Sequence, residues 1–279
     1  MVRNYRFVFY ALVCALFIPY TSSAHQPVVV NEASIEVRDP EVSKAYYGKL
    51  SGEPHTYSIS STVPFVLYLN VLAPDIVGAK DDISAAIIAN GDTSVPLAVL
   101  DATQARWSAW YEPFAGDLYR KGPEFKAGVG PGEYEIRVWS SNNDSPYILA
   151  VGEKEVFGLA GLPGTIGTIL TLKKDFFGVA PATLALSIFG GAYAAITVLL
   201  GVAVGFATRF LSRRTKRSYH PSKNIGAWGR ISRFVAAVVL IGFAMSTSWN
   251  AFFFIVSGFL LFESLSGWCF WYRQSQPAR

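Results

Sequence analysis

The feature that most restricts this chain is where its apolar residues fall. Hydrophobic residues make up 51% of the sequence, and they gather in three runs, 7–20, 182–211 and 234–271. The stretch 25–155 alternates instead, like an ordinary soluble β domain, and is long enough to bury a core of its own. Charged residues are only 16% of the chain, few for a single soluble globule. This division predicts a β-rich domain joined to membrane-spanning helices.

The last run, 233–272, is too long for one span. At ~1.5 Å per residue it would reach about twice the ~30 Å of hydrocarbon. Its polar stretch 246–250, Ser-Thr-Ser-Trp-Asn, splits it into two helices, and Trp249 in such a turn suits a membrane interface. The run 182–211 fits one tilted span. It carries Gly190, Gly191, Ala194, Ala195, Gly201 and Gly205, and the last two have the small-xxx-small spacing that lets helix backbones meet. A homo-oligomer through helix 182–211 is one reading, and the general glycine enrichment of membrane helices is the other.

The N-terminus reads as a secretory signal over residues 1–24. Arg3 and Arg6 precede the short apolar core 7–20, and Thr21-Ser-Ser-Ala24 offers a cleavage site after Ala24. Cys14 is filler within that core. The topology follows: residues 25–155 lie outside, helix 182–211 returns, the loop 212–230 is cytoplasmic, the hairpin 231–273 goes out and back, and the tail 274–279 stays inside. Much of the basic excess behind the net charge of +4 falls in Arg213, Arg214, Lys216, Arg217, Lys223 and Arg230. Between two apolar helices such a run marks the cytoplasmic face, not a nucleic-acid site. The expected location is the cytoplasmic (inner) membrane of a bacterium, with the lipid bilayer as a partner. The connector 156–181 reads as an amphipathic surface segment, Ile166, Ile169, Leu170 and Phe177 on one side and Lys173 and Lys174 toward headgroups.

In the exported part, Tyr134, Ile136 and Val138 alternate with charged residues, and Phe65, Leu67, Leu69 and Val71 share one face of a second strand. Asn90-Gly91 between 83–89 and 95–100 predicts a hairpin. Several short strands with Gly, Pro and Asn punctuation predict an all-β antiparallel sandwich followed by a three-helix transmembrane region. The chain's two cysteines, Cys14 and Cys269, both lie outside this domain, so it has no disulfide available.

Gly48-Lys-Leu-Ser-Gly-Glu-Pro-His-Thr-Tyr57, Phe65–Val71, Gly130-Pro-Gly-Glu-Tyr-Glu-Ile-Arg-Val138 and Tyr147-Ile-Leu-Ala-Val151 together resemble the bacterial pre-peptidase C-terminal domain. That resemblance implies a jelly-roll-like sandwich that assists binding or targeting and does no chemistry. The segment 103–127 departs from it. Its Trp107, Trp110, Tyr111, Phe114, Tyr119 and Phe125 are read either as an aromatic ligand platform or as the packing of a long loop onto a sheet.

The scattered acids Asp81, Asp82, Glu112, Asp117 and Glu124 define neither a calcium loop nor an acid pair. Two histidines and no cysteine in the exported part give no support to a Ser-His-Asp or zinc site. Cleavage after Ala24 would leave His25 with a free amine beside its imidazole, a chelate for copper(II) that His55 would complete. A disordered polar terminus is the plainer alternative.

At the C-terminus, Asn224-x-Gly226 with Arg230-x-x-Arg233 leads into the hairpin, and Gly267-x-Cys269-x-x-Tyr272 leads out. This resembles the two-helix YgaP-like transmembrane domain, which in some proteins follows a cytoplasmic rhodanese. Phe270 stands where that family commonly has proline, which puts a shared role of Cys269 in doubt, and no rhodanese loop is present to imply sulfurtransferase activity. Glu263 lies inside the hairpin, where an unpaired carboxylate is costly, so Arg233 or Arg230 is expected to clamp it. These features predict a membrane-anchored extracytoplasmic binding or assembly module without enzyme activity and with an unidentified protein or ligand partner. The rivals are a copper-handling protein using His25 and a sulfur- or redox-linked protein using Cys269.

Overall fold

A computed structural model describes residues 25–156, 162–214 and 223–274. Residues 1–24, where a signal sequence is expected, most of the basic loop and most of the tail lie outside the described residues. Residues 26–151 form two facing sheets. The first has six strands in the order β1 (Gln26–Val29), β3 (Lys44–Lys49), β11 (Pro146–Val151), β5 (Phe65–Pro74), β9 (Asp117–Val129) and β8 (Ser108–Glu112). The second has five, β2 (Ser34–Glu36), β4 (His55–Ser61), β10 (Gly132–Trp139), β6 (Ser84–Ala89) and β7 (Ala98–Leu100). The alternating positions meet between the sheets: Leu67, Leu69 and Val71 of β5 and Tyr134, Ile136 and Val138 of β10 share one core.

The pairing is not purely antiparallel. β1 runs parallel to β3 and β2 parallel to β4, because the chain crosses between the sheets after β1 and again after β2. The segment 103–127 is also no inserted loop. It supplies β8 and the long β9, which pairs with β5 along most of its length. Asn90 and Gly91 do adopt positive φ. They begin a longer connection rather than forming a two-residue turn, since the register pairs Ile87 with Ala98.

Two strands depart from one-sided alternation. β11 is apolar and buried on successive residues, and so is β5 beyond Asn70. Both faces of the six-stranded sheet are therefore covered at this point. The outer cover is the connector, α1 (Leu162–Thr171) continued by a π-helical turn, Leu172–Phe176. Its Leu172 and Phe177 lie on Ala45, Leu72, Tyr119, Ile148 and Ala150. The apolar side of the connector thus packs within the protein and not on the bilayer, Leu172 and Phe177 on the sheet and Ile166 and Ile169 against the start of the helices. Lys173 is 1% exposed and turned inward, while Lys174 remains exposed.

A 3₁₀ turn, Pro181–Leu186, leads into α2 (Ile188–Arg214), followed by α3 (Ala227–Ser246), α4 (Ala251–Ser266) and the short α5 (Phe270–Gln274). Two of these, α2 and α3, are long and apolar enough to cross a membrane. The expected break at 246–250 is a tight turn in which Asn250 caps α4 by accepting from the Phe252 amide. Trp249 is not an interfacial anchor: it is 1% exposed, and its indole donates to the Pro181 carbonyl at 3.1 Å.

The glycine face of α2 is occupied within the chain. A Cβ at Gly201 would overlap the Ile255 carbonyl of α4, one at Gly205 the Phe262 ring, and one at Gly258 the Val198 carbonyl. A second copy docking on α2 would have to use another face. Gly201→Ala is expected to lower stability by ~1–3 kcal/mol through overpacking. Gly242→Ala, where nothing lies within 4 Å of the added methyl, should be neutral or slightly stabilising. Thermal melting in detergent decides: equal effects at the two positions would show that α2 and α4 do not meet at Gly201.

Candidate functional site

Two clusters of polar side chains are built into the fold, one at each end of the helices. The first lies where the β domain meets α2. The β8–β9 turn, Glu112-Pro-Phe-Ala-Gly-Asp117, reverses at Gly116 with φ 76°. Glu112 folds back over it, accepting from the Phe114 and Ala115 amides at 2.6 and 2.7 Å. The turn then bonds to the first turn of α2, whose leading N–H groups have no partner within the helix. Ile188 donates to the Pro113 carbonyl and Phe189 to the Phe114 carbonyl, each at 3.1 Å, and the Phe114 and Phe189 rings stack at 4.7 Å. Ser187 caps the helix by accepting from the Gly190 amide.

An ion pair locks the connector onto the same turn. Lys173 meets Asp117 at 2.5 Å with side-chain exposures of 1% and 8%. Removing one member of such a buried pair leaves an uncompensated charge, which typically costs about 3–5 kcal/mol. Around the pair, Ala115, Ile169, Leu184, Trp249 and Phe254 form one apolar cluster that joins the β8–β9 turn, the connector, the 3₁₀ turn and the helices.

Beneath the connector is a cavity of about 40 Å³ lined by His25, Tyr47, Trp110, Glu112, Asp117 and Tyr119 among aliphatic residues, space for a few water molecules at most. Burial pushes the carboxyls of Glu112 and Asp117 above the usual carboxylate range, in the second case against the pull of Lys173. Burial also raises the Tyr47 and Tyr119 phenols, which bond to each other at 2.8 Å. His25 is held below its ordinary value by burial and bonds to Ser43. The carboxyls and phenols bond to one another, to Lys173 or to backbone amides, an arrangement that holds the connector, the sheet and the β8–β9 turn together.

The expected copper pair is not assembled. His25 lines this outer cavity, whereas His55 points into the core, where its Nδ1 meets the Tyr147 hydroxyl at 2.8 Å and Tyr147 in turn meets the Tyr57 hydroxyl at 2.7 Å. The two histidines lie on opposite sides of the six-stranded sheet, because successive residues of β11 and β3 face opposite ways. Among the described residues no group of three or more His, Cys, Asp or Glu side chains is placed to hold a metal ion.

The aromatic residues do not form one platform either. Trp107 and Phe125 pack against the sandwich core, Trp107 over Gly122, where a Cβ would lie 2.6 Å from the indole. Trp110 and Tyr119 face the cavity and Phe114 faces Phe189. Tyr111 is exposed. Strand alternation within β8 and β9 separates them.

The second cluster closes the far end of the α3–α4 hairpin. The Arg233 Nε donates to Glu263 Oε2 at 2.8 Å, and the carboxylate is 4% exposed. The same guanidinium donates to the Gly229 carbonyl, approaches the Cys269 Sγ at 3.7 Å and lies 5.5 Å from the Tyr272 ring centre. Arg230 serves a different acceptor, the Ser264 carbonyl at 2.7 Å. Asn224 exchanges two bonds with the Cys269 backbone, its Nδ2 donating to the carbonyl and its Oδ1 accepting from the amide. Gly226 is the N-cap of α3, and Gly267, in the left-handed conformation, ends α4. The structure thus brings Asn224, Gly226, Arg230, Arg233, Glu263, Cys269 and Tyr272 to the same end of the hairpin. Glu263 Oε1 is buried without a hydrogen-bond partner.

Residues 222–274 match the family model described as the inner membrane protein YgaP-like transmembrane domain. Among solved structures, the chain is similar to the pre-peptidase C-terminal domain of collagenase from Bacillus anthracis, with 11% identity and a TM-score of 0.26 over 46% of this chain and 95% of that one. It is also similar to CorA of Methylomicrobium album BG8, described as a surface-associated copper-binding protein, with 9% identity and a TM-score of 0.23 over 46% and 100%. A β-glucosidase from Paenibacillus barengoltzii shares 11% identity at a TM-score of 0.19, over 48% of this chain and 12% of its own. Both resemblances read from the residues are therefore recovered, while likenesses this low carry no argument about ligands. No curated protein matches the sequence.

The hairpin geometry generates a direct test. Glu263→Ala should cost ~1–3 kcal/mol by stranding Arg233 in a partly buried position. Replacing both Glu263 and Arg233 by apolar residues should recover part of that loss. A double-mutant cycle read by thermal melting in detergent should show coupling for Glu263 with Arg233 and near additivity for Glu263 with Arg230. The reverse pattern would show that Arg230 is the partner.

Proposed function

We propose that this is a bacterial inner-membrane protein whose jelly-roll-like sandwich is held on the outer side by three membrane-spanning helices and serves as a non-catalytic binding or assembly module. The observation that carries the reading is the direct bonding of the β8–β9 turn to the first turn of α2. It makes the sandwich a rigid extension of the membrane helices rather than a domain on a loose tether. The hydrophobic family match and the bare apolar surfaces of α2 and α3, including Leu199, Val204, Val235 and Val239, fit lipid-facing helices.

The third span is α4. It follows α3 after a four-residue turn and must return the chain to the side where α3 began. Its 16 residues make ~24 Å, somewhat less than the hydrocarbon thickness, a mismatch that local thinning of the bilayer accommodates. Orientation rests on charge: the β domain meets the N-terminus of α2, while Arg209 and Arg213 lie near its C-terminus, the end that the positive-inside rule assigns to the cytoplasm. The proposed signal sequence agrees with this direction. Neither rival reading is favoured by an observation, since the two histidines are apart and Cys269 is buried within the hairpin clamp.

The test uses intact spheroplasts producing full-length protein in a Cys14→Ser, Cys269→Ser background. A cysteine at the exposed Val63 should react with a membrane-impermeant thiol reagent, and one at Ser218 only after permeabilisation. Labelling of position 218 in intact spheroplasts would overturn the orientation. In the same cells a photo-crosslinking residue at the exposed Val66 should give a discrete adduct, and absence of adducts from every exposed site on the sandwich would contradict the module reading.

A further inference from the structure

We infer that the tip of the β8–β9 hairpin is a second membrane contact, with Tyr111 and Leu118 immersed at the boundary between headgroups and acyl chains. The inference rests on the membrane reading of α2 and adds a lipid-binding surface to the β domain itself. Tyr111 and Leu118 are directly opposed across the two strands, and both are exposed, at 49% and 51%. Their neighbours Trp110 and Tyr119, also a cross-strand pair, face inward to the cavity. The outward pair is therefore an apolar edge left bare at the end of an otherwise packed hairpin.

Its depth is fixed by bonds. The turn between the two strands caps α2 at Ile188 and Phe189, so the tip stands level with the first residues of that helix. A hydrocarbon layer of ~30 Å takes about 20 helical residues. Counted back from Arg209, the innermost arginine of α2, about 20 residues reach the level of Phe189. The hairpin tip is therefore at the outer boundary of the hydrocarbon. Further exposed apolar residues lie at the same end of the helices: Leu186, 85% exposed, and Ile188 at the start of α2, and Phe252, 64% exposed, in the first turn of α4.

The chemistry of the tip suits that depth. Its two acids would oppose immersion if they faced outward, but Glu112 is satisfied by backbone amides of its own turn and Asp117 by Lys173. Tyrosine, amphipathic and enriched at membrane–water interfaces, is a side chain suited to the headgroup level. The occupant of this surface is the bilayer itself, reached by the same helices that the hairpin caps.

The experiment uses full-length protein carrying Cys14→Ser and Cys269→Ser, reconstituted in nanodiscs of phosphatidylethanolamine and phosphatidylglycerol. A nitroxide is placed by single cysteine substitution at Leu118, at Tyr111, at Val239 on α3 as the lipid reference and at Val99, exposed on β7 of the sandwich, as the water reference. Accessibility is read to oxygen, which concentrates in lipid, and to a water-soluble nickel chelate. The oxygen-to-nickel ratio at 118 and 111 should exceed that at 99 several-fold and approach that at 239. A ratio at 118 and 111 equal to that at 99, with 239 still reading lipid, overturns the contact while leaving the membrane helices intact. If 239 also reads water, the membrane reading fails and this inference falls with it. Bimane fluorophores at the same positions, quenched by spin-labelled lipids, give a second readout that does not depend on the nitroxide.

Discussion

Asp117 and Lys173 close a joint on which the relation between the two halves of this protein depends. The pair is almost fully buried, so its attraction is little screened and either member alone would be costly. It holds the connector against the sheet on one side and steadies the turn that caps α2 on the other. From that point the order of dependencies runs outward. The connector covers the outer face of β11, the turn supplies carbonyls to α2, and the 3₁₀ segment receives the indole of Trp249 from the helical hairpin.

The far end of the helices is governed by a second balance of charge. Glu263 and Arg233 face each other across antiparallel helices, and the neighbouring contacts to Gly229, Cys269 and Tyr272 satisfy the rest of the guanidinium. Asn224 ties the segment before α3 to the segment after α4 by exchanging bonds with one backbone unit. Between the two ends the helices meet through glycines, with Gly201 and Gly258 each lying on a backbone carbonyl of the other helix. Polar bonds thus secure the ends and close backbone packing the middle, a division suited to helices whose sides face lipid.

How much of this was legible in the sequence follows from how local each cause is. Alternation in β5 and β10 is written in neighbouring residues, so the faces of Leu67 and Ile136 could be assigned at once. That Glu263 would be paired with Arg233 or Arg230 was also legible, because a carboxylate inside a membrane hairpin needs a partner and helical rise places only a few residues at its depth. The choice of Arg233 comes from the structure. The inward turn of Lys173 was not, since its reason lies in Asp117, far away in sequence. A signal did exist: 146–151 and the end of β5 are continuous apolar runs, and a strand that is apolar on both faces needs a cover on both. That would have directed Leu172 and Phe177 to the sheet and not to lipid. Likewise the separation of His25 from His55 depends on which face of a sheet each approaches, which their chain positions do not encode.

The central claim is that the sandwich and the membrane helices form one rigid body through the 112–117 turn. Pulsed dipolar spectroscopy between nitroxides at Val95 on the sandwich and Val239 on α3, in full-length protein in nanodiscs, measures this directly. The account predicts a single narrow distance distribution that broadens when Lys173→Met breaks the joint. A broad distribution in the unaltered protein would contradict it.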